Sequence, residues 1–292
     1  MKRKLTIGLL KAVAGLPLGL LYCISDFIYL IIYHLVGYRR KVVRRNLTEA
    51  FPEKSEAEIR EIEKEYYHYM CDIIVETVKL LNISDEEMSR RVRIEGADKV
   101  NAAVAEGRSA VLMLGHYGNW EWVQEISKAV PDDAFKASIY HPLKSKLWED
   151  VYSRIRSRWN AHIIPQANAV RALLKKENQP WVCGFIADHR PRHVDQTNIT
   201  PFLNHATSFI YGPEVIGNKL DCEFFFLEME RTKRGYYTII FHPLEKLEGE
   251  EPYPVTRRFW QKFEEVIRKN PAYWLWSHKR WKNDKVLTPR EC

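Results

Sequence analysis

The hydrophobic pattern of this chain changes character twice. It opens with a near-continuous apolar run: from Ala12 to Tyr38 the one formally charged residue is Asp26. The centre of the run, Leu16 to Val36, has about the 20 residues that a bilayer-crossing helix needs. Lys2-Arg-Lys4 precedes it, and Arg39-Arg-Lys41 and Arg44-Arg45 follow, clusters that suit anionic headgroups at both ends. No small-x-small cleavage site follows the run. Residues 1–45 are therefore expected to form a retained membrane anchor with basic flanks, either a single span or a helix lying in the interface. A buried core helix is the alternative, and Asp26 weighs against the span.

A 3.6-residue period comes next. Ser55-x-x-Glu58 is a capping-box signal, and Ile59, Ile62, Tyr66, Met70, Ile73, Thr77 and Leu80 recur on one face. This predicts a helix over 51–81 whose polar residues are solvated, with Asn82–Arg91 as a connector.

From Arg93 onward short apolar runs alternate with helical stretches. Strands are predicted at 92–94, 109–114, 135–140, 162–164 and 181–187. Helices are predicted at 97–106, 120–129, 144–159 and 168–176. Such alternation implies an α/β fold: a central mixed, largely parallel sheet flanked by helices. Glu223–Glu230 and Tyr236–His242 read as a hairpin adding antiparallel strands at one sheet edge, and Val255–Lys269 as a helix. Repeats, low-complexity tracts and long linkers are absent, so residues 46–292 are expected to form one catalytic domain after the anchor.

Charge narrows the class. The formal net charge is +7, but residues 1–45 hold nine Lys/Arg against Asp26 alone, leaving 36 basic and 37 acidic residues elsewhere. The body is near neutral, and no nucleic-acid motif is present, so a nucleic-acid partner is not expected. Nine Trp and fifteen Tyr suit work at an apolar–polar boundary. Five scattered cysteines without a CxxC favour reduced thiols and a cytosol-facing body.

Three places could carry chemistry. Val111–Leu114 reads as a buried strand, closed by Gly115 and followed at once by His116. Glu121, five residues on, stands at the next helix start. The two fit a general base and its orienting carboxylate. They fit equally a structural histidine beside a carboxylate that favours a helix N-terminus. Asp188 ends the second buried strand and is expected near the same sheet edge, where ligands gather in open α/β sheets. Arg154, Arg156 and Arg158 could stabilise an oxyanion, although a solvated helix face is the simpler account. His189, His193 and Asp195 raise a metal-dependent hydrolase as a distant alternative, and Pro191 argues against helical ligand spacing there. GxSxG, GxxxxGK[ST] and strand-following GxGxxG motifs are all missing, so serine hydrolases, P-loop enzymes and dinucleotide enzymes lose ground.

His116-Tyr-Gly-Asn-Trp-Glu121 resembles the glutamate form of the HxxxxD motif of glycerolipid acyltransferases. Preceded by Gly, it is similar to that of the lipid A biosynthesis acyltransferases, the lauroyl and myristoyl transferases of Gram-negative bacteria. Gly37–Asn46 with Phe51-Pro52, Ile139-Tyr-His-Pro142, Asp188, Phe202-Leu-Asn204 with Thr207 and Gly212, and Trp274–Lys282 resemble further family segments. His141 departs from the arginine common in the family. The resemblance implies a glycerolipid-acyltransferase-like fold and transfer of a fatty acyl chain from acyl carrier protein to a hydroxyl of a lipid A precursor. It implies His116 as general base with Glu121 as its partner, Arg156 binding substrate or the oxyanion, and Asp188 completing the site. It implies neither cofactor nor metal, and a place at the inner membrane with the catalytic domain facing the cytoplasm. A related glycolipid or phospholipid acyltransferase, such as one acting on phosphatidylinositol mannoside, is the alternative.

Overall fold

The structure is a computed structural model that describes residues 2–143, 145–156, 161–176, 179–191, 194, 196–246 and 251–281. Helices α1 (Lys2–Ala14) and α2 (Leu18–Tyr29) are separated at Pro17, which has no N–H for a continuing helix. The helix runs on from α2 as a π-helical stretch, Leu30–Val36, until Gly37 turns the chain at φ +61°. Leu18–Val36 is thus one apolar helix of 19 residues with mean hydropathy 1.7. It is the one candidate membrane helix among the described residues. Leu18, Leu21, Ser25 and Tyr29 face inward, while Leu20, Ile24, Phe27 and Leu30 are exposed on the other side.

The basic segment after the apolar helix folds as α3 (Arg40–Ala50). The predicted long helix is α4 (Glu56–Lys79), opened by the Ser55/Glu58 capping box. Its polar residues depart from expectation: Glu63, Asp72, Glu76 and Lys79 are buried. The reason is that α4 is covered on several sides, and each of these groups has a partner. Arg44 donates to Glu63 at 2.7 Å, Arg231 to Asp72 at 2.7 Å, and Lys79 to the Leu16 carbonyl at 2.9 Å. The expected connector holds a further helix, α5 (Asp85–Arg91), whose first turn is capped by the Ser84 hydroxyl accepting from the Glu87 N–H.

β1 (Val92–Glu95), α6 (Ala97–Ala105) and β2 (Ala110–Leu114) follow as predicted. The next segment is a 3-10 helix, Trp122–Lys128, rather than the expected α-helix. Then come β3 (Phe135–Tyr140), α7 (Lys146–Arg156), β4 (His162–Pro165), α8 (Ala169–Leu174) and β5 (Trp181–Ile186). A small antiparallel pair, β6 (Ile199–Phe202) and β7 (His205–Ser208), and α9 (Gly212–Lys219) lead into β8 (Glu223–Lys233) and β9 (Tyr236–Pro243). Helix α10 (Pro254–Lys269) precedes the tryptophan-rich C-terminal segment.

Seven strands form a mixed, mostly parallel sheet in the order β1-β9-β8-β2-β5-β3-β4, with helices on both faces. The β8–β9 pair is antiparallel, and the other five pairings are parallel. The hairpin does not lie at an edge, as its sequence suggested; it stands between β1 and β2. Phe224, Phe225, Phe226 and Leu227 are buried on both faces of β8, and such a strand needs cover above and below. Along β2 the period of two is clear. Val111 and Met113 join a core with Phe185, Phe226 and α10, and Leu112 and Leu114 join the opposite core with Val182, α2 and α6.

Candidate active site

Parallel pairing of β2 with β5 sets Leu114 opposite Ile186, so the residues two places beyond each strand, His116 and Asp188, meet above the sheet. The Asp188 carboxylate accepts the His116 backbone N–H at 2.9 Å and bonds the ring Nδ1 at 2.7 Å. Trp274 Nε1 donates to the same carboxylate at 2.9 Å. Asp188 is almost fully buried. Burial opposes its charge, yet His116, His189 and the Trp274 N–H hold it well below the usual carboxylate range. An ionised carboxylate only accepts, so Nδ1 carries a proton, and in the neutral ring Nε2 keeps its lone pair. Burial pulls the imidazole down, but the Asp188 charge and bond outweigh it and raise His116 above its ordinary value.

Glu121 is placed differently from the sequence expectation. Its carboxylate is held by Arg156 of α7, from Nε at 3.1 Å and Nη2 at 2.6 Å. This bidentate bond joins two groups that are both largely shielded from water. Glu121 adds only a longer-range pull to the rise at His116. Of the other arginines considered, Arg154 is exposed on α7, and Arg158 lies outside the described residues.

The turn between these two pairs has little freedom. A Cβ on Gly115 would fall 2.1 Å from the Phe263 ring, and one on Gly118, at φ +57°, 2.3 Å from the Met229 carbonyl. Tyr69 of α4 donates to the Gly118 carbonyl at 2.5 Å, and Leu275 N–H donates to the His116 carbonyl at 3.2 Å. The Asn119 side chain accepts from Trp122 N–H at 3.1 Å, turning the chain into the 3-10 helix. Of the residues that support the turn, Tyr69 has no signal in the local sequence beyond an aromatic position on α4, whereas Trp274 opens the Trp274–Lys282 stretch that resembles a family segment.

Beneath this turn opens a cavity of about 1080 Å³. His116, Glu121, Arg156 and His189 line its polar part. Leu112, Leu114, Val123, Ile126, Val130 and Val182 line the apolar part, between β2, β5 and the 3-10 helix. His141, the departure from the family pattern, also borders it. The His189 ring stands 4.7 Å from His116. His193 and Asp195, the other residues of the metal alternative, lie outside the described residues. Among the described residues, no three His, Cys, Asp or Glu side chains are grouped to hold a metal ion. A lone-pair base, a fixed cation and a long apolar chamber can together accept an acyl chain and deprotonate a hydroxyl beside its carbonyl.

The model of the family described as bacterial lipid A biosynthesis acyltransferase matches residues 2–283. The lipid A biosynthesis lauroyltransferase of Escherichia coli (strain K12) is 22% identical over 283 residues, covering 95% of this chain and 90% of that protein.

Proposed function

The chain belongs to the bacterial lipid A biosynthesis acyltransferase family, and from that premise we propose that it moves a fatty acyl chain from acyl carrier protein to a hydroxyl of a lipid A precursor. The observation that carries this reading is the apolar cavity ending at the bonded His116–Asp188 pair, with Arg156 beside it. The acyl chain lies in the cavity and places its thioester carbonyl at the polar end. His116 Nε2 takes the proton of the acceptor hydroxyl as its oxygen attacks that carbonyl. Asp188 keeps the ring in the required tautomer and stabilises the imidazolium that forms. Negative charge gathers on the carbonyl oxygen. Arg156 spends two of its five N–H groups on Glu121 and offers others to the oxyanion. Collapse breaks the carbon–sulfur bond, and the imidazolium returns its proton to the departing thiolate. Glu121 acts by holding Arg156 in place.

The site of action in this reading is the cytoplasmic face of the inner membrane. Leu18–Val36 packs one face along α4 and leaves Leu20, Ile24, Phe27, Leu30, Leu35 and Val36 exposed. Lys11, Arg39, Lys41 and Arg45 are exposed around its ends. A helix docked in this way, with its Asp26 bonded to Arg234 of the body at 2.6 Å, suits lying in the interface.

The test is transfer by the purified protein from an acyl-carrier-protein thioester to a lipid A precursor, read by mass spectrometry. The mass of one acyl chain on the precursor is expected. Acylation of phosphatidylinositol mannoside in its place, or of neither acceptor, overturns the reading.

A further inference from the structure

Helix α4 carries a stripe of buried ionisable residues at 72, 76 and 79, one face of the helix by spacing. Each member grips the N-terminal segment. Asp72 accepts from the Ser25 hydroxyl at 2.7 Å. Glu76 Oε1 accepts from the Tyr22 hydroxyl at 2.8 Å. Lys79 donates to the Ala14 and Leu16 carbonyls at 3.2 and 2.9 Å, where α1 gives way to α2.

Glu76 also reaches the catalytic turn. Its Oε2 accepts from Asn119 Nδ2 at 2.6 Å and from the Tyr237 hydroxyl at 2.7 Å. Its backbone carbonyl accepts the Trp122 indole N–H at 3.1 Å. Asn119 stands midway between His116 and Glu121, and its Oδ1 caps Trp122. One fully buried carboxylate thus joins α2, β9 and the turn that carries both the base and the partner of Arg156. A carboxylate is costly in such a place, and burial pushes it up to about 7 even though Tyr237 and Tyr22 donate to it. Packing alone would be served by an apolar residue of the same volume; three convergent donors are served by a carboxylate.

We propose that Glu76 is a positioning residue for acyl transfer, tethering the Asn119 turn to Tyr22 of the membrane-facing helix so that His116 and Glu121 keep their spacing. The proposal rests on the acyltransfer reading for its kinetic consequence, but the tether itself does not. In Glu76→Ala the Asn119 amide, Tyr22 and Tyr237 lose their acceptor, and the turn relaxes away from its geometry. Glu76→Gln can keep the arrangement: its oxygen accepts from Asn119 and Tyr237, and its NH2 donates to the Tyr22 oxygen.

The test uses the full-length protein in phospholipid vesicles. Glu76→Ala is expected to lower kcat about 10²-fold, the scale of a roughly 1 Å misplacement of reacting groups, with KM for both substrates unchanged. Glu76→Gln is expected to recover most of that loss. Tyr22→Phe, which removes a single hydroxyl, is expected to lower kcat severalfold with Tm lowered by no more than a few degrees, and it decides the matter should Glu76→Ala not fold. A kcat for Tyr22→Phe equal to wild type, or a loss in Glu76→Gln as deep as in Glu76→Ala, overturns the proposal. Hydrogen–deuterium exchange needs no substrate. Tyr22→Phe should speed exchange in residues 115–122 and leave the β5 peptide as it was. Equal exchange in both segments overturns the tether. A loosened turn in a protein whose wild type transfers no acyl chain overturns the substrate reading alone.

Discussion

Two buried carboxylates flank the turn that follows β2, and they are held by opposite kinds of partner. Asp188 stands beyond the end of β5, bonded to an imidazole, a ring that can gain and lose a proton. Glu121 stands at the far end of the turn, bonded twice to a guanidinium whose charge does not change. The first pair can store and return a proton; the second can only fix a cation in space. A histidine with two acids in reach therefore has one that tunes it and one that arranges its surroundings, and hydrogen bonding, more than distance along the chain, tells them apart.

Substitutions can break this contrast, and the largest effect is expected at the base. His116→Ala should lower kcat about 10⁴-fold, the upper range for a general base, in a protein with a native unfolding temperature. Transfer at wild-type rate would exclude His116 from that role. Asp188→Asn comes next, at about 10³-fold, because an amide no longer enforces the tautomer. It should also move the pH profile. His116 must be neutral to act as a base, and Asp188 raises its pKa above the ordinary value, so the wild-type rate should rise with pH through that raised pKa. Without that charge, burial dominates, and the acid limb should move to lower pH. An unmoved limb in Asp188→Asn would place the titration elsewhere.

Arg156→Ala should cost about 10²-fold in kcat, the loss of one oxyanion donor group. Glu121→Gln should cost less, about tenfold, since Arg156 keeps one acceptor and loses only the ionic part of the bond. The order matters more than the values: a deeper loss and a shifted acid limb in Glu121→Gln than in Asp188→Asn would exchange the parts assigned to the two carboxylates. The smallest effect on chemistry is expected at the apolar face of α2. Phe27→Asp should reduce the vesicle-bound fraction about tenfold while turnover on a detergent-dispersed acceptor persists. Unchanged binding would move the membrane contact to another surface.

Much of the fold is legible in the sequence. The runs Val111–Leu114, Phe135–Tyr140 and Trp181–Ile186 are bounded by polar or turn residues and become β2, β3 and β5 with nearly the predicted limits. Helix α4 announces its start through Ser55 and Glu58. Short amphipathic pieces are less visible. The Ser84/Glu87 pattern that opens α5 sits in a seven-residue helix, too short to show a period. Helix α9, of eight residues, and the β6–β7 pair are similarly brief and are held by contacts from elsewhere in the chain. The place of the β8–β9 hairpin follows from which strand ends up beside it, a matter of long-range pairing.

By itself the sequence determined the strand that precedes His116, the glycines that let the turn close, the apolar N-terminal helix and the motif that resembles lipid A acyltransferases. Tertiary structure decided which acid serves the histidine. Glu121 is five residues from His116 and points to Arg156; Asp188 is 72 residues away and bonds the ring. The difference arises because parallel register brings Leu114 and Ile186 side by side, a pairing that neither strand encodes alone. The same holds for Glu76. It reads as one more polar position on an amphipathic helix until α2, β9 and the Asn119 turn close over it and leave a carboxylate where three donors meet.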